Sequence, residues 1–148
     1  MVSDFPHLVV EDLIKNNWTL PEVPSANIDW GYYPEVVGQG NQTYTIKCED
    51  MSDTDREYYG IPITHELAAN GVGVIIGVRD VSDDRRRPPS NYIKMINHVK
   101  QIIKANRFSH NEIHEFRIGQ GSREIENRMI NNSRWYVYYL VVYAWYWD

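Results

Sequence analysis

Residues Trp135 to Asp148 read WYVYYLVVYAWYWD, and this stretch decides the fold. Eight of its fourteen residues are Trp or Tyr, and its only charge is Asp148. Aromatic and β-branched side chains pack well on a pleated surface, so the segment reads as a strand. Side chains alternate along a strand. Trp135, Val137, Tyr139, Val141, Tyr143, Trp145 and Trp147 point one way; Tyr136, Tyr138, Leu140, Val142, Ala144 and Tyr146 point the other. Both sets are apolar, which calls for cover on both faces. At roughly 3.3 Å per residue the apolar run extends about 43 Å. A globule of this chain length is about 38 Å across. The strand therefore crosses the domain, bends or projects beyond it. Tyr and Trp join an apolar body to a polar tip and are enriched at interfaces. Two readings stay open, a central core strand and a surface for a partner. They are compatible if the core takes the first half and a partner takes the end, at Tyr143, Trp145, Tyr146 and Trp147.

Working outward, 148 residues make one domain, 1–148, large enough for a real core. Apolar content of 43% and charged content of 24% are ordinary for a folded protein. A net charge of −5 argues against a dedicated nucleic-acid binder. The single cysteine, Cys48, excludes an internal disulfide and fits an intracellular origin. The first residues carry Asp4, Glu11 and Asp12 and lack the basic start of a signal peptide. No apolar run reaches the length of a membrane-spanning helix.

Residues 6 to 17 form an expected helix, with Val9 and Leu13, and Val10, Ile14 and Trp18, at helical spacing. Pro6 suits its first turn, and Ser3 or Asp4 stands where a cap belongs. The Pro- and Gly-rich section from Thr19 to Gly40 is extended, with a short strand around Ile28 to Tyr33. Tyr44 to Met51 alternates as a half-buried strand, with Cys48 on its apolar side. The acidic stretch Ser52 to Gly60 reads as a loop, and Pro62 interrupts the segment after it. Val72 to Val81 is a strand in which Gly73 and Gly77 mark bends. After the loop Ser82 to Pro89, Ser90 caps a helix from Asn91 to Ala105. Its stripe is Tyr92, Ile96, Val99 and Ile103, widened by Met95 and Ile102. Glu112 to Ile118 and Glu124 to Ile130 are strands around the Gly119–Gly121 turn, and Asn131, Asn132 and Ser133 turn the chain into the last strand. The order gives an α+β fold, a mainly antiparallel sheet packed against one long helix and an N-terminal helix.

Chemical motifs are sparse. Gly71-Val72-Gly73 and Gly119-Gln120-Gly121 lack the third glycine of a dinucleotide turn, so no cofactor is expected. His110 and His114 have a spacing found in zinc sites, but a metal needs further ligands, and none is expected. Cys48 on an apolar face reads as a small buried side chain. Asp50, Asp53, Asp55 and Glu57 lack the spacing and glycine of a calcium loop. Arg85, Arg86 and Arg87, beside Pro88 and Pro89, form the only basic cluster. They read as a solvated loop, a contact for an acidic protein face or a phosphate contact.

Taken together the layout resembles the tail-terminator and tail-completion proteins of long-tailed viruses. The likeness rests on the first helix ending in KNNW (Lys15 to Trp18) and the extended section after it. It continues through the strand GVIIGVRDVS (Gly73 to Ser82), the arginine loop, the helix NYIKMINHVKQIIKANR (Asn91 to Arg107) and the closing RWYVYYLVVYAW (Arg134 to Trp145). The resemblance implies a virion protein and no enzyme. It implies a ring of identical subunits, usually six, assembled in the host cytoplasm at the end of the tail tube. The ring would meet the tail-tube protein on one side and the head-completion or connector protein on the other. DNA would pass through without specific binding, since an acidic lining does not hold phosphates. Interface residues would be Arg85, Arg86, Arg87, Tyr143, Trp145, Tyr146 and Trp147. Two rival readings are a small metal-dependent enzyme using the acidic stretch with His110 and His114, and a cytoplasmic adaptor that dimerises by strand addition.

Overall fold

The computed structural model describes residues 4–34, 43–59, 65–80, 89–130 and 133–147. Helix α1 runs Pro6–Asn16 and helix α2 runs Ser90–Ala105. The strands are β1 (Ile28–Trp30), β2 (Tyr44–Tyr59), β3 (His65–Arg79), β4 (Glu115–Ile118), β5 (Arg123–Ile130) and β6 (Ser133–Trp147). They form one six-stranded sheet in the order β1-β2-β3-β6-β4, with β5 also on β6. Only β1 joins parallel; the other pairings are antiparallel.

The aromatic strand is the spine of this sheet. One edge of β6 pairs with β3 from Trp135↔Arg79 to Trp147↔Leu67. Its other edge takes β5 opposite Tyr139 and below, then β4 opposite Val142 to Trp145. Its two apolar faces go to two different places. Tyr136, Leu140, Val142 and Ala144 join the main core under both helices. On the opposite face Trp135 and Val137 pack with Ile75, and Trp145 packs with Leu67 and Ala69. The helices lie on the first face alone, through Val10 and Ile14 of α1 and Tyr92, Met95, Ile96, Val99, Ile102 and Ile103 of α2.

Several expectations are corrected. The acidic stretch is not a loop: β2 continues to Tyr59, with a register irregularity between Asp50 and Thr54 and Ser52 at φ 56°. Pairing with β3 overrides composition here, and an outer strand tolerates charge that a central one would not. β3 likewise begins at His65, before the Val- and Ile-rich run starts, so it carries Leu67 to Ala69 beside Trp145 and Trp147. Gly73 and Gly77 serve as clearances. A Cβ on Gly73 would lie 2.1 Å from the Tyr139 hydroxyl, and one on Gly77 would meet Thr45, Pro34 and Trp135.

The caps also differ. Pro89 and Phe5 are the N-caps, neither helix has a side-chain cap bond, and Ser90 is already helical. A missing cap costs about 1 kcal/mol, whereas each fully buried apolar side chain of α2 contributes about 1.5–3 kcal/mol. Packing decides the helix. β4 starts at Glu115, not Glu112, because the His110 ring accepts from the N–H groups of Glu112 and Ile113 and turns the chain. Ser133 opens β6 instead of closing a turn. The break at Pro62, the arginine loop and the Asn131–Asn132 turn lie outside the described residues.

Candidate protein interface

Burial falls along β6. Trp135 is 0% exposed and Trp145 5%, but Trp147 is 45% exposed. At that end the sheet brings together rings from three parts of the chain. Trp147 meets Tyr59 of β2 edge-on at 5.6 Å between centroids and His114 at 5.4 Å. His114 in turn meets Phe108 at 6.4 Å. Phe108 is 65% exposed, and the Arg107 guanidinium lies 5.1 Å above its ring. The result is a continuous strip of aromatic rings on the surface, Tyr59–Trp147–His114–Phe108. Large exposed apolar patches on folded domains mark interaction surfaces.

A charged clamp holds the base of the strip. Glu115 is buried, and a buried carboxylate needs partners. It accepts from Arg107 and, at 3.0 Å, from Nε of Arg117. Burial alone would raise its pKa; the two guanidiniums outweigh that and hold it below the usual carboxylate value. Arg117 also reaches Glu57 of β2 at 3.4 Å, across β3 and β6. Its guanidinium lies 4.7 Å above the Trp145 ring. The Tyr59 hydroxyl donates to Glu57 at 2.6 Å, and that bond pushes the phenol pKa up. Arg117 of β4 thus ties Glu57 of β2 to Trp145 of β6.

The residues singled out from sequence separate here. Trp147 is on the strip. Trp145 lies beneath it, covered by Arg117. Tyr143 is half-buried against the Leu67, Ala69 and Trp145 cluster. Tyr146 is half-buried on the other face of β6. Arg85, Arg86 and Arg87 fall outside the described residues. Tyr59, Phe108, His114 and Arg117 were not singled out as interface residues. The pair Tyr58-Tyr59 is a visible aromatic signal within the stretch that reads as a loop.

The other candidates take structural places. Cys48 is buried, as expected, and burial pushes its thiol well up, away from thiolate chemistry. His110 uses Nδ1 on its own turn, while His114 stacks in the strip. Asp50 accepts from Ser52 N–H and Asp55 from Arg56 N–H. Among the described residues no group of three or more His, Cys, Asp or Glu side chains is placed to hold a metal.

No protein-family profile matches this chain. No curated protein matches it either.

Proposed function

We propose that this chain is a structural assembly subunit of the tail-terminator kind. Copies close into a ring, six by the family resemblance, that caps the tail tube of a long-tailed virus and presents the surface on which the head docks. The observation that carries the reading is the aromatic strip at the end of β6. A protein that stays alone gains nothing from exposing Trp147 and Phe108 together. A neighbouring subunit that covers them gains apolar burial and aromatic contact. The fold order supports the same reading, since the α+β arrangement has the helix, strand, helix and closing strand on which the resemblance rests. The mechanism is geometric. One surface of a subunit meets a different surface of the next, and the rotation between them closes the ring.

Light scattering on the purified chain, with negative-stain imaging, tests the proposal. Closed rings are expected, and Phe108→Ser should weaken them while leaving monomer stability within about 1 kcal/mol, as for surface changes. A chain that remains a monomer, or stops at a two-fold dimer, at every accessible concentration overturns it.

A further inference from the structure

The strip offers a surface for a neighbouring subunit but does not set how successive subunits are oriented. A second feature addresses that. An open groove of about 610 Å³ runs along β4 beside the end of α2. Ile103, Phe116 and Ile118 give it apolar walls, and Lys104, Arg107 and Arg117 stand around it. Glu115, also in its lining, has both oxygens engaged by Arg107 and Arg117. The groove therefore presents positive charge. It follows a sheet edge: β4 has β6 on one side and, among the described residues, no strand on the other. Part of that edge is engaged by the chain itself, through Phe116 N–H donating to Arg107 O at 2.9 Å.

The far side of the same sheet has the opposite character. β1 covers β2 only at Tyr44 to Ile46. From Lys47 to Tyr59 the outer side of β2 has no strand neighbour among the described residues. Asp50 and Asp55 are exposed there, each spending one oxygen on a nearby N–H. Glu11 of α1 reaches the same side and accepts from Cys48 N–H at 3.0 Å. Arg56 on this strand is already paired with Glu66. One edge of the sheet is thus extended and acidic, with no strand on it beyond Ile46 among the described residues and Glu11 of α1 touching it at Cys48, and the other is a basic groove with apolar walls.

We infer that the groove beside β4 receives the outer edge of β2 from a second copy of this chain. The proposal rests on the ring reading above and names the two surfaces that meet. Extended segments add to open sheet edges through main-chain bonds, while side chains set the choice of partner. Charge sets the choice here. A two-fold dimer through β2 would place acid against acid, and one through β4 would place base against base; both arrangements cost energy. Only β4 against β2 matches, and that contact is head-to-tail, the kind that generates a ring when the rotation between subunits closes.

The test is a charge swap. Lys104→Glu reverses one point on the groove, and Asp55→Lys reverses one point on the β2 edge. Each variant alone should need about tenfold or more concentration to assemble, as like charges are brought together. Mixed in equal amounts, the two should assemble again near the wild-type concentration, because every contact then pairs Glu with Lys or Lys with Asp. Rings from the mixture should hold an even number of subunits in alternation. Thermal melts of the dilute variants confirm folding. Rings that form in the wild type and equally well in both single variants overturn the pairing of edges and leave the ring reading standing. Singles that fail and are not rescued by mixing do the same. Wild-type protein that stays monomeric or forms only a two-fold dimer overturns both.

Discussion

Replacing Gly73 by Ala probes the packing of the aromatic strand directly. The added Cβ would sit 2.1 Å from the Tyr139 hydroxyl oxygen and 2.4 Å from its Cζ. Ordinary contact begins near 3.4 Å, so the end of the ring must retreat by about 1.3 Å. That retreat breaks the 3.3 Å bond in which the Tyr139 hydroxyl donates to Glu49. Losing the bond costs about 0.5–1.5 kcal/mol, and tilting the ring off its rotamer costs a similar amount. Against this, removing a glycine from a strand interior returns about 0.5–1 kcal/mol. The net is a loss of about 0–2.5 kcal/mol, centred near 1 kcal/mol. In a Tyr139→Val background the obstacle is gone, and the same Gly73→Ala change should stabilise by about 0.5–1 kcal/mol. Urea denaturation of the four proteins at one low concentration reads both numbers. The reasoning fails if Gly73→Ala has the same sign and size in both backgrounds.

Trp135→Ala should cost about 3–5 kcal/mol in the same assay, because the indole is fully buried and its loss leaves a cavity; a cost below about 1 kcal/mol would show that the second face of the sheet is not a core. His98 accepts from Thr19 N–H at 3.1 Å, and burial lowers its pKa from 6.5 against an opposing bond to Gln101. The neutral ring is the native form, so its contribution is full above pH 6.5 and is lost as pH falls through the lowered folded value. His98→Gln should therefore flatten the decline in melting temperature between about pH 7.5 and 5.5, and an unchanged slope would assign that decline elsewhere.

The central strand was legible from its own residues. Both faces of WYVYYLVVYAW are apolar, and both are covered. Its even-numbered residues meet helices whose stripes were equally plain. What could not be read was set by partners distant in sequence. The segment Ser52 to Tyr59 carries too much charge to resemble a strand, and Glu66 to Asn70 too many small residues. Each becomes one beside the other, and the small residues make sense only under Trp145. Gly73 looked like a weak point because the Tyr139 ring that fills its place lies in another strand. The candidate site divided in the same way. Trp147 was visible because it ends an aromatic run, but Phe108 and His114 come from a turn with no pattern of its own. Arg117 gave no signal, because its role comes from reaching a carboxylate across two intervening strands.

The position of β6 also bears on how the protein reaches its native state. Its neighbour along one whole edge, β3, was made more than fifty residues earlier in the chain. Local contacts are few in such a topology, and folding is correspondingly slow. Until β3 on one side and β4 with β5 on the other have enclosed it, the sequence WYVYYLVVYAW is an uncharged ribbon with two adhesive faces and no proline. Refolding yield should accordingly fall steeply as protein concentration rises, and a cell producing this chain in quantity has reason to keep nascent copies apart until the spine is enclosed.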